Sequence, residues 1–84
     1  MSTTPEAAAG ERLRAIIAEI LEMDATEIDA DSSFHEGLGM SSLEKVAIVT
    51  RMENEFSVTL AHTEAASVTS LRSAVELLSG KGVR

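Results

Sequence analysis

Apolar residues recur at helical spacing in three segments of this chain, and no segment shows the two-residue alternation typical of a strand. The predicted helices run from about Glu6 to Met23, from about Ser42 to Phe56 and from about Ser70 to Leu78. The first is defined by Leu13, Ile16, Ile17, Ile20 and Leu21, and the last by Leu71, Ala74, Val75 and Leu78. A short helical turn is expected near His62 to Ala66. The pattern therefore indicates a small all-α domain.

A long loop is predicted between the first and second helices, at residues 24–40, because Asp, Ser and Gly recur there. A loop of this length in a compact domain is normally tied to the core or functional. Its expected core contacts are Ile28, Phe34 and Leu38. Gly80 is expected to end the last helix. We therefore predict one domain, ordered from about residue 6 to 79, with frayed ends at residues 1–5 and 81–84.

Length and charge limit the possible functions. A chain of 84 residues leaves little room for a deep active-site cavity. The formal net charge is −7, which argues against binding nucleic acid and suits basic protein partners. The chain has no cysteine, and two histidines alone make no case for a metal site. It also lacks an apolar run long enough to span a membrane, so a cytoplasmic location is expected.

The second predicted helix is apolar on two opposite sides. Placed at 100° per residue, one side carries Ile48, Val49, Met52 and Phe56, and the other carries Leu43, Val46, Ala47 and Thr50. Glu44 and Glu53 flank the second of these sides. Such a helix is either fully buried or presents a docking surface, and the pattern alone leaves both open.

The junction between the loop and this helix holds the candidate chemistry. Gly37 and Gly39 precede Ser41, and Ser41 with Glu44 fits a capping box. Ser42 then falls in the first helical turn, where unpaired N–H groups and the helix dipole favour a phosphate group. The alternative is that Ser42 merely starts the helix, as serine often does. His35 and His62 are interpreted as solvated loop histidines.

The run from Asp31 to Leu43, with its Asp-Ser-x-Phe approach, Leu-Gly turn and Ser-Leu helix start, resembles acyl carrier proteins. The match extends over roughly residues 13–78. The resemblance implies a four-helix bundle with a long loop between helices 1 and 2 and a short third helix. It implies 4′-phosphopantetheine, derived from coenzyme A, on Ser42, and a non-catalytic carrier that holds acyl intermediates as thioesters. The cofactor would then supply the thiol that this cysteine-free chain lacks.

The resemblance also implies a docking face beside Ser42. The residues assigned to it are Met40, Leu43, Glu44, Val46, Ala47, Thr50 and Glu53. Ser41 stands where the family usually has Asp, and Ala47 and Asn54 stand where Glu is frequent. This less acidic face favours the dedicated partners of a polyketide or related specialised pathway.

The expected partners are a phosphopantetheinyl transferase, an acyltransferase or adenylating enzyme that loads cargo, and a ketosynthase or other synthase component. A free-standing monomer is expected. Two alternatives stay open: an aminoacyl or peptidyl carrier, and an unmodified interaction module, which Ser41 in place of Asp would permit.

Overall fold

Four α-helices make up most of residues 5–83, the part of the chain that the computed structural model describes. They are α1 (Pro5–Leu21), α2 (Ser42–Phe56), α3 (His62–Ser67) and α4 (Leu71–Gly80), with a 3-10 turn at Ala25–Glu27. No strand occurs within residues 5–83, so the prediction of a small all-α bundle is confirmed. The predicted fraying of residues 1–4 and of Arg84 lies outside the described residues.

The core forms where α1 packs against α2 and α4. The predicted apolar stripes of these helices face it, and α3 contributes no buried residue. The core cluster consists of Leu13, Ile17, Ile28, Phe34, Met40, Ile48, Met52, Leu60, Val68, Leu71, Ala74 and Leu78. No polar or charged side chain is buried within the described part of the chain. Apolar burial is therefore the main stabilising contribution to this fold.

A residue in the left-handed conformation follows each of three helices, and two of these residues are not glycine. α1 ends at Leu21, so the predicted end at Met23 is wrong by two residues. Glu22, which follows, has φ 54°. Ser57 follows α2 with the same φ.

Gly80 does not stop α4 but is its last residue. Gly82, at φ 85°, takes the left-handed position. The Val83 N–H then donates to the Leu78 oxygen at 3.0 Å and closes the helix.

The long loop is tied to the core and to α4. Ile28 and Phe34 are buried as predicted, and Leu38 packs against the core while partly exposed. The Phe34 N–H donates to the Thr69 oxygen at 2.8 Å. The Arg72 N–H donates to the Ala30 oxygen at 2.9 Å. The C-terminal part of the chain therefore holds the loop that leads into α2.

Candidate functional site

The turn before α2 needs glycine at two positions. The Gly37 N–H donates to the Ser33 oxygen at 2.7 Å, and a Cβ on Gly37 would lie 2.8 Å from that oxygen. Gly39 has φ 68°, a conformation that other residues rarely adopt. The Met40 N–H donates to the Phe34 oxygen at 2.9 Å and closes the turn. This turn sets the position from which α2 begins.

Ser41 caps α2 as predicted. Its Oγ accepts from the Glu44 N–H at 3.1 Å, and the Glu44 carboxylate accepts from the Ser41 N–H at 2.9 Å. The capping box satisfies one of the helix's free N–H groups and fixes the first turn. It also occupies the Glu44 carboxylate, which is only partly exposed.

Ser42 is the first helical residue, and its side chain is exposed. Within residues 5–83 no group hydrogen-bonds to its hydroxyl, and the backbone N–H groups of Ser42 and Leu43 donate to no protein acceptor. An exposed hydroxyl beside two free N–H donors at a helix N-terminus suits an attached phosphate, whose oxygens would accept from those donors. The residues present therefore fit a phosphoester at this position.

The His35 side chain forms a hydrogen bond to the turn before α2. Its Nδ1 lies 2.7 Å from the Met40 oxygen, and because a carbonyl only accepts, this nitrogen donates. The ring is exposed, as expected of a loop histidine, yet it is bonded to the backbone just before the cap. Sequence reasoning missed this contact, since nothing in the pattern marks a five-residue separation as a hydrogen bond.

The structure brings four of the predicted docking residues together on the exposed side of α2. Leu43 is 80% exposed and Val46 is 60% exposed, and they are the large apolar residues so exposed within residues 5–83. Ala47 and Thr50 are exposed beside them. We call these four residues the α2 face.

The other predicted docking residues lie elsewhere or are engaged. Met40 is only 3% exposed and belongs to the core, so its side chain offers no surface to a partner. Glu53 accepts from the Leu60 N–H at 2.8 Å and so closes the loop after α2. Both acidic groups assigned to docking, those of Glu44 and Glu53, are therefore bound to backbone N–H groups.

A groove of about 250 Å³ separates α2 from α3. Its lining comprises Lys45, Val46, Val49, Thr50, His62, Ala65 and Ala66. This groove begins one helical turn after Ser42 and was not predicted from the sequence, because its second wall depends on where α3 packs.

No group of three or more metal-ligating side chains occurs within residues 5–83. None of the helices in that range has the length and apolar character needed to cross a membrane.

Comparison with known proteins identifies the family. The family model described as "Phosphopantetheine attachment site" matches residues 11–78. "Polyketide-8 synthase acyl carrier protein 2" of Streptomyces avermitilis is 40% identical over 79 residues, covering 94% of this chain and 91% of the relative. "Acyl carrier protein" of Clostridium acetobutylicum is 38% identical over 68 residues, covering 81% and 88% respectively. The chain belongs to the acyl carrier protein family, whose members bear covalent 4′-phosphopantetheine.

Proposed function

We propose that Ser42 is the attachment site and that the chain carries acyl intermediates between enzymes of a polyketide or related specialised pathway. The observation that supports the site is the exposed, unbonded Ser42 hydroxyl beside two free N–H groups at the start of α2. The polyketide assignment is supported by the relative at 40% identity, a polyketide synthase carrier by its name.

The proposed modification is a substitution at phosphorus. The Ser42 Oγ forms a bond to the phosphorus that bears pantetheine in coenzyme A, and the bond from that phosphorus to the ADP portion breaks. 3′,5′-ADP leaves with the electron pair, and the hydroxyl proton passes to a base on the transferase. When bound, the group supplies the thiol on which cargo is held as a thioester. The free N–H groups of Ser42 and Leu43 would donate to the phosphodiester oxygens and stabilise their charge.

Partner enzymes are proposed to contact the α2 face beside Ser42. Leu43 and Val46 provide its exposed apolar area, and such area on a small protein marks interaction surfaces. A transferase, a loading enzyme and a ketosynthase must each reach the same arm, so one shared face next to Ser42 serves all of them. Tethering then raises the local concentration of cargo at whichever enzyme is docked.

The experiment is intact mass measured after incubation with coenzyme A and a broad-specificity phosphopantetheinyl transferase. We expect one added phosphopantetheine on the wild type and on Ser41→Ala, and none on Ser42→Ala. Ser41→Ala is the matched control because it removes the neighbouring hydroxyl while Ser42 remains. Addition of phosphopantetheine to Ser42→Ala would contradict the assignment of Ser42 as the attachment site. If the wild type is not modified, Ser41→Asp separates a demand for the family's usual cap residue from a carrier that is never modified.

A further inference from the structure

Lys45 is unusual among the cationic side chains of this acidic protein. It is the one lysine or arginine within residues 5–83 whose side chain makes neither an ion pair nor a hydrogen bond. The others are all engaged: Arg12 with Glu55, Arg51 with Glu19, Arg72 with Asp31, Lys81 with Glu64, and Arg14 with the Ile28 oxygen.

The sequence around Lys45 leaves its charge unneutralised. Helix neighbours meet at three and four residues, and those positions hold Ser41, Ser42, Ile48 and Val49, with no carboxylate among them. The chain as a whole carries twice as many acidic as basic residues, 14 against 7. Lys45 is a partly buried residue, and its unpaired ammonium can pair with an anion that its helix neighbours do not supply.

Lys45 also lines the groove between α2 and α3 at its end nearest Ser42. Helical side chains lean toward the N-terminus, so the Lys45 side chain can extend toward the turn that contains Ser42. The remaining walls are mostly small and apolar. The other polar groups are the His62 ring and the Thr50 hydroxyl, which already donates to the Val46 oxygen at 3.0 Å. Apolar walls with a few convergent polar groups are typical of a ligand site, and about 250 Å³ suits only a small group.

We propose that Lys45 forms an anion-binding subsite at the mouth of this groove, which holds an anionic oxygen of the group carried on Ser42. The proposal rests on the proposed function, since the ligand reaches the groove through Ser42. Two parts of a loaded carrier offer such an oxygen: the phosphodiester itself, and a carboxylate at the end of a short acyl cargo. Both would pair with the Lys45 ammonium by the same charge-assisted contact.

The experiment compares four forms of the wild type: apo, holo, butyryl-loaded and succinyl-loaded. The two cargoes have four carbons each and differ in ending with a methyl or a carboxylate group. Intact mass confirms each loading, and the NMR signals of the Lys45 side-chain methylene next to nitrogen are followed. A shift at the apo-to-holo step assigns the phosphodiester, and a shift in the succinyl form alone assigns the cargo carboxylate.

Unchanged Lys45 signals in all four forms, with loading confirmed by mass, would overturn the subsite and leave the carrier function intact. A failure of loading itself would count against the proposed function instead.

Two variants add a second readout. Lys45→Met keeps the unbranched stem and removes the charge, whereas Arg51→Met removes a charge from the same helix outside the groove. The anionic group is expected to change the thermal midpoint of unfolding less in Lys45→Met than in the wild type. In Arg51→Met it should change the midpoint as much as in the wild type. The difference should disappear in about 1 M salt, where the Debye length is about 3 Å. Equal changes in both variants would contradict the proposal.

Discussion

Gly37 illustrates how one residue position controls the approach to the site. A Cβ there would lie 2.8 Å from the Ser33 oxygen and 2.9 Å from the Ser32 Cβ, so the turn would have to move. We expect Gly37→Ala to lower the free energy of unfolding by roughly 1–3 kcal/mol, the usual cost of overpacking. Gly80 is the matched control: it is helical with open space around it, so Gly80→Ala should stabilise by up to about 1 kcal/mol. Urea denaturation measures both, and a loss of similar size in the two variants would contradict this account.

Ser57 holds a left-handed conformation without the freedom of glycine. Its φ of 54° costs a residue with a Cβ roughly 1–2 kcal/mol, and glycine avoids that cost. Part of the gain is offset by the greater entropy of glycine in the unfolded chain. Ser57→Gly should therefore raise the free energy of unfolding by about 0.5–1 kcal/mol in chemical denaturation.

Thr59 provides the control for that substitution. It is exposed two residues later and has no positive φ. Thr59→Gly gains only unfolded-state entropy and should lower the free energy of unfolding. Two substitutions of the same sign would show that backbone conformation at Ser57 is not the cause.

At the scale of the helix, a boundary could be predicted where the side chains that form it are neighbours in the sequence. The extent of α2, Ser42–Phe56, matched the prediction, and its start did so because Ser41 and Glu44 form a capping box that can be recognised from sequence. The end of α1 was overestimated because Glu22 occupies a left-handed position where glycine is usual. The prediction that Gly80 stops α4 was wrong because Gly80 is itself helical, and the later glycine, Gly82, takes the left-handed position that closes the helix.

Some features of the candidate site could be predicted from the local sequence, whereas others depend on tertiary packing. Ser42, its cap and the exposed apolar side of α2 follow from spacing within one helix. The contact of His35 with the Met40 oxygen, the engagement of Glu53 by Leu60, and the groove against α3 do not. Each of these depends on how the loops return to α2, and periodicity along the chain carries no such information.

The ion pair between Asp31 and Arg72 joins the long loop to α4. The Arg72 guanidinium beside it holds the pKa of the Asp31 carboxyl below its ordinary value of 3.8. Because the folded-state pKa is the lower one, this pair stabilises the fold above pH 3.8, and the contribution is lost as pH falls through the folded-state pKa. Wild type should therefore exceed Asp31→Asn in free energy of unfolding at neutral pH, and the difference should vanish in acid.

The matched control is Asp29→Asn, a neighbouring loop carboxylate that forms no ion pair within the described residues. It should show a smaller difference at neutral pH. The opposite ranking would mean that the Asp31 pair does not hold the loop.

Helix α3 is the least firmly packed of the four helices. It has six residues, and none of them is buried. One Glu64 oxygen accepts from the Ala61 N–H at 2.8 Å, and the other lies 3.0 Å from Lys81 Nζ. We expect the amides of α3 to exchange with solvent faster than those of the other helices, since few buried contacts oppose its opening.

Glu64→Gln tests the part played by that ion pair. The amide side chain still offers an acceptor to Ala61 but loses the charge that pairs with Lys81. Exchange of the α3 amides should become faster still, as measured by hydrogen–deuterium exchange. Glu76→Gln makes the same charge change in α4 and should leave α3 unaffected. An equal effect of both variants would assign the change to net charge alone.

For the whole molecule, charge and apolar surface have separate roles in docking. A net charge of −7 attracts basic partners over a distance and so affects the rate of association. The α2 face has its apolar area in Leu43 and Val46, which act only after contact. Raising the ionic strength should therefore slow association with the transferase, while dissociation of the complex should change little.

Removing the apolar side chains of the α2 face should have the complementary effect. Leu43 is 80% exposed, so Leu43→Ala should change the free energy of unfolding by no more than about 0.5 kcal/mol. If Leu43 enters a pocket on the transferase, the loss of about 1–2 kcal/mol of binding lowers kcat/KM for loading by roughly 5- to 30-fold. Ile20→Ala is the control: Ile20 packs against the core, so its loss should reduce stability and leave loading of the folded protein unchanged. Equal loading rates for wild type and Leu43→Ala would show that the transferase recognises Ser42 without the α2 face, and the same comparison with a ketosynthase would then decide whether any partner uses it.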